Sequence, residues 1–533
     1  MGNFNFRTAL EQEFRSGLSV TENGALGYAS TGDPLLDLNF QVSSMRKMEE
    51  SEIIRRYMAA ARLHPMLTLR WLFFARDVRG GLGERRLFRV IFKYLAEEAP
   101  DVTKKLMPLV AEYGRWDDLL VLMGTTLQSD LAEVIKAQWL EDIENLKAQK
   151  SISLMAKWLP SPRSHSIETR AKAAELIKIL EIDEKTYRKA LSAMRKYLNL
   201  VECKMSTKAW SEIDYKAVPS RANLIYNKAF LRNDEERRRE FLGAVKKGEA
   251  KMHADTLYPH DIVYQYNGGS NPFAPILEEN ESLEALWSQL PNMLSDASDS
   301  ILVVPDSSGS MSTKVGNTKV SAYTCAEALA VYFAERAKGQ FKDTFITFSH
   351  SPRFVDLTGC RTLREKLNYA RTKCEVANTN IEAVFDLILN TGIMNHLQPA
   401  DMPKAVLILS DMEFDAASTS NGTQWGYYPI FGVGYRNVPQ FRTPDEGLFR
   451  VLRVRFENAG YRLPKLIFWN LCSRTGTVPV KENKAGVAFV SGFSTNIMKM
   501  VLSNKLDPFE ILKEQLMEPR YNPVTDILNL DQQ

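Results

Sequence analysis

The sequence has few cysteines and no long apolar run, and these absences exclude several classes of protein. Only five of the 533 residues are cysteine, and no two of them have Cys-x-x-Cys spacing. Neither a disulfide scaffold nor a structural zinc site is therefore expected. No apolar run is long enough for a transmembrane helix, and Glu11 and Glu13 occupy the region where a signal peptide needs apolar residues. These features predict a cytoplasmic protein with reduced thiols and no membrane partner.

Charge is nearly balanced over the whole chain but unevenly distributed along it. The net charge is +3. Residues 151–250 hold 21 Lys and Arg against 13 Asp and Glu, whereas residues 251–290 hold one base and six acids. A basic block followed by an acidic segment is consistent with a surface that faces a polyanion. A set of solvated helix faces would give the same counts, and composition alone favours that second interpretation.

The apolar spacing divides the chain into three segments. Residues 1–40 are rich in Gly, Thr, Asn and Ser and predict a mostly irregular arm. From 41 to 285, apolar residues recur at intervals of three and four residues, which predicts a series of helices. Short connections between the helices are typical of an irregular HEAT-like α-solenoid. From 286 to 533, short apolar strands alternate with helices, which predicts a doubly wound α/β domain. The fold class expected is therefore multidomain α+β, and the long irregular stretch at 415–445 is expected to be functional or mobile.

A set of oxygen-bearing side chains is predicted at one edge of the parallel sheet. Asp306, Ser308 and Ser310 follow the first α/β strand, and Asp411 directly follows the strand VLILS. Thr379 precedes a predicted helix. Ligands in open parallel sheets bind at the carboxyl ends of strands. Two carboxylates and three hydroxyls suit Mg²⁺, with Ca²⁺ or Mn²⁺ also possible; a Ser-rich turn with helix caps is the alternative.

The pattern DxSGS, with a distant Thr and a distant Asp, resembles the metal-ion-dependent adhesion site (MIDAS) of von Willebrand factor A domains. The resemblance implies that Asp306, Ser308, Ser310, Thr379 and Asp411 are the metal ligands. It also implies an open coordination position that takes a carboxylate from a partner. A phosphatase of the haloacid dehalogenase type would need a second acid where Ser308 stands. No catalytic residues are therefore assigned.

Segments in both parts of the chain match one known family. They are RDVRGGLGERRLFR (76–89), YGRWDDLL (113–120), MAKWLPSPRS (155–164), YRKALSAMRKYLNLVECKMSTKAW (187–210), IDYKAVPSRAN (213–223), SDMEFD (410–415), FWNLCSRTGTVPV (468–480) and VSGFSTNIMK (490–499). Over roughly residues 20–505 the chain thus resembles the TROVE-like relatives of the Ro ribonucleoprotein, found in eukaryotes, bacteria and large viruses. One departure is Pro305-Asp306-Ser307, where relatives commonly have Cys-Asp-Val. The resemblance implies a ring of HEAT-like repeats, a metal-site domain and RNA binding.

Cationic side chains within the matched segments are the candidate RNA contacts, because Lys and Arg displace the counterions condensed on RNA. They are Arg85, Arg86, Arg115, Lys157, Arg163, Arg188, Lys189, Arg195, Lys196, Lys204 and Lys208. Arg188 and Arg195 are seven residues apart, and so are Lys189 and Lys196. These four side chains therefore predict a basic stripe two turns long on one helix. Arg115, beside two aspartates, could equally form a buried ion pair. Trp116, Trp158 and Trp210 are expected in the core more than as stacking platforms.

The sequence therefore predicts a non-catalytic RNA-binding protein whose metal site docks an acidic partner. The alternative is a metal-dependent protein-assembly module without RNA, in which the helical part is a scaffold. A metal-dependent hydrolase is a third and weaker hypothesis. RNA binding through the basic block should weaken steeply with salt. Docking through the metal should instead be lost on chelation.

Overall fold

A computed structural model describes residues 18–20, 26–268, 271–294, 301–316, 318–349, 351–374, 381–412, 425–429, 435–439, 450–473, 487–492 and 507–529. The helices, in chain order, are α1 Pro34–Phe40, α2 Val42–Met45, α3 Glu50–Leu63, α4 Pro65–Arg76, α5 Arg85–Glu98, α6 Pro100–Leu106, α7 Val110–Tyr113, α8 Gln128–Lys147, α9 Met155–Trp158, α10 Ile167–Leu180, α11 Glu184–Tyr197, α12 Val201–Ser206, α13 Ser220–Asn233, α14 Glu235–Lys246, α15 Pro259–Tyr266, α16 Glu281–Ser288, α17 Ala322–Arg336, α18 Leu363–Lys373, α19 Ile381–Met394, α20 Arg450–Asn458, α21 Pro508–Leu516 and α22 Asn522–Asn529. The strands are β1 Leu18–Val20, β2 Leu26–Tyr28, β3 Ile301–Pro305, β4 Thr344–Ile346, β5 Phe354–Asp356, β6 Ala405–Ser410, β7 Trp425–Pro429, β8 Tyr435–Pro439, β9 Lys465–Asn470 and β10 Val487–Ser491.

The chain forms two compact units, and each unit is assembled from separate segments. The α/β unit comprises Met1–Met48, Tyr258–Asn280 and Asn292–Gln515. The helical unit comprises Glu49–Leu257, Glu281–Pro291 and Leu516–Gln533. The expected domains at 1–40, 41–285 and 286–533 are continuous, so the structure distributes the segments differently. Periodicity along a chain reports local structure, and it does not report which unit a segment joins.

The helical unit has an aromatic core around α4, α5 and α7. The Phe73 ring packs edge-on against Phe88 and Tyr113, with centroids 5.6 and 5.3 Å apart. The turn between α4 and α5 passes close to the end of α4, because a Cβ on Gly81 would lie 1.9 Å from the carbonyl oxygen of Phe74. Only glycine fits there. This turn fixes the position of the first residues of α5.

The α/β unit contains a four-stranded parallel sheet with the order β10-β9-β6-β3. Every residue of β3 and β6 is buried, as expected for parallel strands covered on both faces. Val303 of β3 pairs with Leu407 of β6. Phe348, just after β4, donates its N–H to the Pro305 carbonyl at 3.2 Å. The described residues are mostly helical with a small parallel sheet in the C-terminal part, which confirms the α+β arrangement at that level.

Two segments expected to be irregular contain regular structure. The predicted arm at 1–40 contains the antiparallel pair β1–β2 and helix α1, whose first turn is capped by the Asp33 carboxylate. The stretch at 415–445 contains the antiparallel pair β7–β8, in which Trp425 pairs with Pro439. The sequence also predicts a helix at 496–502, and these residues lie outside the described part of the chain. Within the described part of the chain, no helix is both long and apolar enough to span a bilayer.

Candidate nucleic-acid interface and sheet-edge site

A buried ion cluster fixes the start of α5 in the helical unit. Asp118 is fully buried and accepts hydrogen bonds from Arg76 Nε at 2.8 Å and Arg89 Nε at 2.6 Å. The Arg76 side chain is only 1% exposed. A Cβ on Gly114 would lie 2.6 Å from the Asp118 carboxylate, so a glycine there allows the close approach. Buried charges require such pairing because their desolvation is costly.

Arg115 bridges this cluster to Trp158. Its guanidinium donates to both oxygens of Asp117, at 2.7 and 2.5 Å, and lies 3.6 Å from the centre of the Trp158 ring. Burial and the neighbouring Arg115, Arg76 and Arg89 guanidiniums lower the pKa of Arg85, which indicates crowded positive charge. Burial raises the pKa of Asp117, but hydrogen bonds and charge from Arg115 and Arg89 outweigh it and leave the pKa lowered.

Arg195 holds the short helix α9 in place. Its Nε donates to the Ala156 carbonyl at 2.8 Å and its Nη2 to the Leu159 carbonyl at 2.7 Å. A single-turn helix leaves its last carbonyls without intrahelical partners, and the guanidinium satisfies two of them. Burial lowers the pKa of Arg195. The structure therefore gives Arg195, one of the candidate RNA contacts, a positioning role beneath Lys157 and Trp158.

An open pocket of about 460 Å³ lies between α9, α11, α12 and α13. Its lining includes Lys157, Trp158, Arg195, Glu202, Arg221 and Tyr226. Three cationic side chains thus face one carboxylate and two aromatic rings. The volume lies within the range usual for small-molecule sites. The combination of cations with aromatic faces is the one that single-stranded nucleic acids require.

The other candidate cations differ in whether they have a partner within the protein. Arg188 lies 3.7 Å from Glu184, and Lys204 donates its Nζ to the Glu212 carbonyl, so both have partners. Arg86 is half-buried. Five side chains have exposed or half-buried positions and no ion-pair partner within the described residues: Lys157, Arg163, Lys189, Lys196 and Lys208. Arg85, at the start of α5, is exposed over much of its surface, while its guanidinium is partly desolvated and crowded by neighbouring positive charge.

Several residues that line the pocket were not predicted as site residues from the sequence. Trp158 was expected in the core, but it is half-buried and lines the cavity. Arg221 and Tyr226 were not considered, because no helix was predicted over α13. Ile225, next to Tyr226, is 55% exposed in the pocket wall. The sequence signal was the spacing alone, which places an Ile-Tyr pair one helical turn after Arg221.

The sheet-edge site in the α/β unit brings three predicted ligands together. Asp306 follows β3, and its carboxylate accepts from the Ser308 N–H at 2.8 Å and the Ser410 hydroxyl at 2.6 Å. The hydroxyl oxygens of Ser308 and Ser310 lie 2.9 Å apart. Asp411 follows β6, the strand next to β3. Asp306 and Asp411 are both about 1% exposed, so the two carboxylates of the site are buried, whereas Ser310 is half-buried.

The backbone after Asp411 adopts an unusual conformation. Met412 has a φ of +62° and is 1% exposed. Left-handed φ values at residues other than glycine are uncommon and often mark functional sites. Thr379, the fifth predicted ligand, lies outside the described residues. In the described part of the chain no three His, Cys, Asp or Glu residues group closely enough to hold a metal ion, and the predicted set contains only two carboxylates.

Two family models match this chain, one over each part of the sequence. Residues 21–139 and 127–299 match the family model described as "Domain of unknown function (DUF2828)". Together these matches span 279 of the 533 residues. The chain belongs to this family. Residues 300–522 match a second model, "Domain of unknown function (DUF7788)", and this match contains the described sheet-edge residues.

Two similar proteins are of note. The chain is 26% identical to "Uncharacterized protein L728" of Acanthamoeba polyphaga mimivirus, over 95% of this chain and 88% of that protein. It also aligns with the crystal structure of the Deinococcus radiodurans RO (RSR) protein at 13% identity, covering 86% of this chain and 92% of that chain. The TM-score is 0.34, which does not establish a shared fold.

Proposed function

We propose that this protein binds RNA on the surface around the pocket of the helical unit, without catalysing a reaction. The observation that carries the proposal is the pocket itself, where Lys157, Arg195 and Arg221 surround Trp158 and Tyr226. Cations neutralise phosphates, and aromatic faces stack on unpaired bases. A protein-only scaffold would have no need for this combination in one cavity.

The cations outside the pocket support the same proposal. Lys189 and Lys196 are exposed on α11, and Arg163 and Lys208 are exposed in the adjoining segments. None of the four side chains has an ion-pair partner within the described residues, so they are available to phosphates. All the pocket residues except Ile225 and Tyr226 fall within segments that resemble TROVE-like relatives of the Ro ribonucleoprotein. Membership in that group is part of the proposal.

The protein should be purified from the cells that express it, at low salt and without chelator. A high ratio of absorbance at 260 nm to that at 280 nm, with a defined population of nuclease-sensitive RNA, is the expected result. Sequencing would then identify the ligand. A protein-like ratio with no enriched RNA would contradict the proposal and would leave protein assembly as the leading function.

A second candidate function is metal-dependent docking of an acidic partner at the sheet edge, in a von Willebrand factor A-type domain. The specific support is the convergence of Asp306, Ser308 and Ser310 beside Asp411. These are the oxygen donors that Mg²⁺ prefers, and both carboxylates are buried where only a cation or hydrogen bonds can compensate their charge. A bound Mg²⁺ would supply a Lewis-acidic position for a partner's carboxylate.

The two functions respond differently to treatment. RNA binding should survive EDTA and the substitution Ser310→Ala, because the pocket residues are all in the helical unit. Docking of an acidic partner should be lost under both. Co-purifying proteins that dissociate with EDTA would support docking, and proteins that remain bound to Ser310→Ala would contradict it.

A further inference from the structure

The pocket contains one carboxylate among its cations, and that carboxylate remains accessible. Glu202 is exposed and lines the pocket. Its only hydrogen bond within the described residues comes from the Tyr226 hydroxyl, which donates to Oε1 at a long 3.4 Å. No Lys or Arg in the described part of the chain lies within ion-pair distance of it. An ionised carboxylate has about four acceptor sites, so Glu202 retains capacity for a ligand.

A carboxylate at this position would disfavour phosphate and favour a donor-rich group. The cations of Lys157 and Arg221 suit the phosphate of a nucleotide, whereas Glu202 suits N–H donors. Among the four RNA bases, only guanine presents two neighbouring donors, N1–H and N2–H, on its Watson–Crick edge. Adenine and cytosine each pair a donor with an acceptor there, and uracil has one donor between two acceptors.

The pocket walls suit a base that has left its stack. Trp158 and Tyr226 offer aromatic surface, and Arg115 lies 3.6 Å from the centre of the Trp158 ring, which holds the indole in position. Unpaired bases of RNA are recognised by stacking on aromatic rings together with hydrogen bonds to their Watson–Crick edges. A base in a duplex has that edge occupied by its partner.

We propose that the pocket binds an unpaired guanine nucleotide of RNA, with Glu202 accepting hydrogen bonds from guanine N1–H and N2–H. This inference rests on the proposed RNA-binding function and specifies the ligand of the same site. Glu202 is then a specificity-determining residue, and the surrounding cations supply affinity for any sequence.

The test uses the full chain and fluorescein-labelled uridine oligomers that differ in one central base. Fluorescence anisotropy should show guanine bound about tenfold more tightly than adenine, the lower part of the range for one bidentate contact. Inosine, which lacks the N2 amine, should lie between them. The variant Glu202→Gln should bind the guanine and adenine oligomers equally, and it should bind both at least as tightly as the wild type binds adenine.

Glu212→Gln is the matched control, because Glu212 is an exposed carboxylate that does not line the pocket, while its backbone carbonyl accepts a hydrogen bond from Lys204 of α12. It should keep the guanine preference. Equal binding of all four oligomers by the wild type, or a guanine preference that survives Glu202→Gln, would overturn the inference and leave RNA binding intact. Failure to bind any oligomer would instead overturn the proposed function itself.

Cys203 reports occupancy of the pocket independently, because its thiol lines the same cavity. The guanine oligomer should slow alkylation of Cys203, measured by peptide mass spectrometry, at lower concentration than guanosine monophosphate does, since flanking phosphates add contacts. Protection by guanosine monophosphate and not by the oligomer would overturn the assignment to RNA. Unchanged alkylation with bound guanine oligomer would place the base elsewhere and overturn the inference.

Discussion

Asp118 shows how single residues hold the basic surface in shape. Its carboxylate is fully buried between Arg76 and Arg89. Asp118→Asn should lower the free energy of unfolding by about 3–5 kcal/mol, because it leaves a buried guanidinium without its counter-charge. Urea denaturation followed by tryptophan fluorescence measures the change.

The control for that variant is Glu168→Gln. Glu168 pairs with Lys172 one turn along an exposed helix face, and exposed pairs contribute little. Its unfolding curve should overlay that of the wild type. A curve for Asp118→Asn that also overlays the wild type would contradict the structural role assigned to the cluster.

The Cys203 thiol provides a pH-dependent readout of the pocket. Burial raises the pKa of Cys203, and the nearby Arg195 guanidinium only partly opposes this. The thiolate is the reactive form. The ionised fraction of Cys203 should therefore still be rising at pH values where a small free thiol is already fully ionised. The alkylation rate of Cys203 should therefore keep increasing after that of N-acetylcysteine has levelled off. A plateau at lower pH than N-acetylcysteine would contradict the environment described for this thiol.

The sequence predicted which charged residues belong to the site more readily than it predicted what each of them does. Lys157 and Arg195 were both candidate RNA contacts. In the structure, the Arg195 guanidinium donates hydrogen bonds to two backbone carbonyls, whereas Lys157 makes no such bond within the described part of the chain. Arg115 was expected either in an ion pair or on RNA, and the structure shows the ion pair with Asp117. Glu202 and Tyr226 could not be assigned, because their relation depends on how α12 and α13 meet.

At the scale of single elements, the cations of α11 have two different roles, one structural and one at the surface. Arg195 binds two carbonyls of the α9 segment, while Lys189 and Lys196 face solvent. Arg195→Gln should cost about 1.5–3 kcal/mol of stability, the range for a hydrogen bond to a charged group. The double variant Lys189→Gln/Lys196→Gln should leave the melting temperature unchanged and weaken RNA binding.

Differential scanning fluorimetry and anisotropy together separate these effects. A large loss of melting temperature in the double lysine variant would contradict their assignment as free surface cations. An unchanged melting temperature in Arg195→Gln would contradict its role in holding α9.

The sheet edge gives a prediction for metal loading. If Asp306, Ser308, Ser310 and Asp411 hold Mg²⁺, saturating the site at about 100 times the dissociation constant should stabilise the fold by about 2.7 kcal/mol. The increase in melting temperature should disappear in Asp411→Asn and persist in Asp401→Asn, which changes an exposed carboxylate. A shift of equal size in both variants would contradict the assigned site.

Elements with strong periodicity could be predicted from sequence, and those with mixed faces could not. The apolar spacing predicts a helix at 167–180, which coincides with α10, and a strand at 405–409, which falls within β6. Helix α13 was missed because its buried positions include Ser220, Asn223 and Asn227, which interrupt the apolar pattern. Asn227 accepts a hydrogen bond from Ser282, a partner distant in sequence.

At the scale of the whole molecule, the last residues of the chain return to the helical unit. Arg520 Nη2 donates to the buried Asp77 at 2.9 Å, and the Tyr521 hydroxyl donates to the same carboxylate at 3.1 Å. Arg70 donates to the Thr525 hydroxyl at 2.7 Å. Removal of residues 516–533 should therefore lower the melting temperature and speed proteolysis within the helical unit, because Asp77 would lose its counter-charge.

Asp526→Asn is the control for this truncation, since it changes an exposed charge on α22. It should match the wild type in both assays. A truncated protein as resistant to protease as the full chain would show that the C-terminal segment is dispensable for the helical unit. Sequence periodicity could not predict this return, because the contacts join residues more than 400 positions apart.

The salt dependence of RNA affinity tests the central proposal most directly. Anisotropy of a labelled single-stranded RNA should be measured with the purified full chain between about 50 and 200 mM KCl. The logarithm of the association constant should fall linearly with the logarithm of salt concentration. The slope should be shallower by about two for Lys189→Gln/Lys196→Gln. No binding at the lowest salt, or an affinity that neither salt nor these substitutions change, would contradict the account.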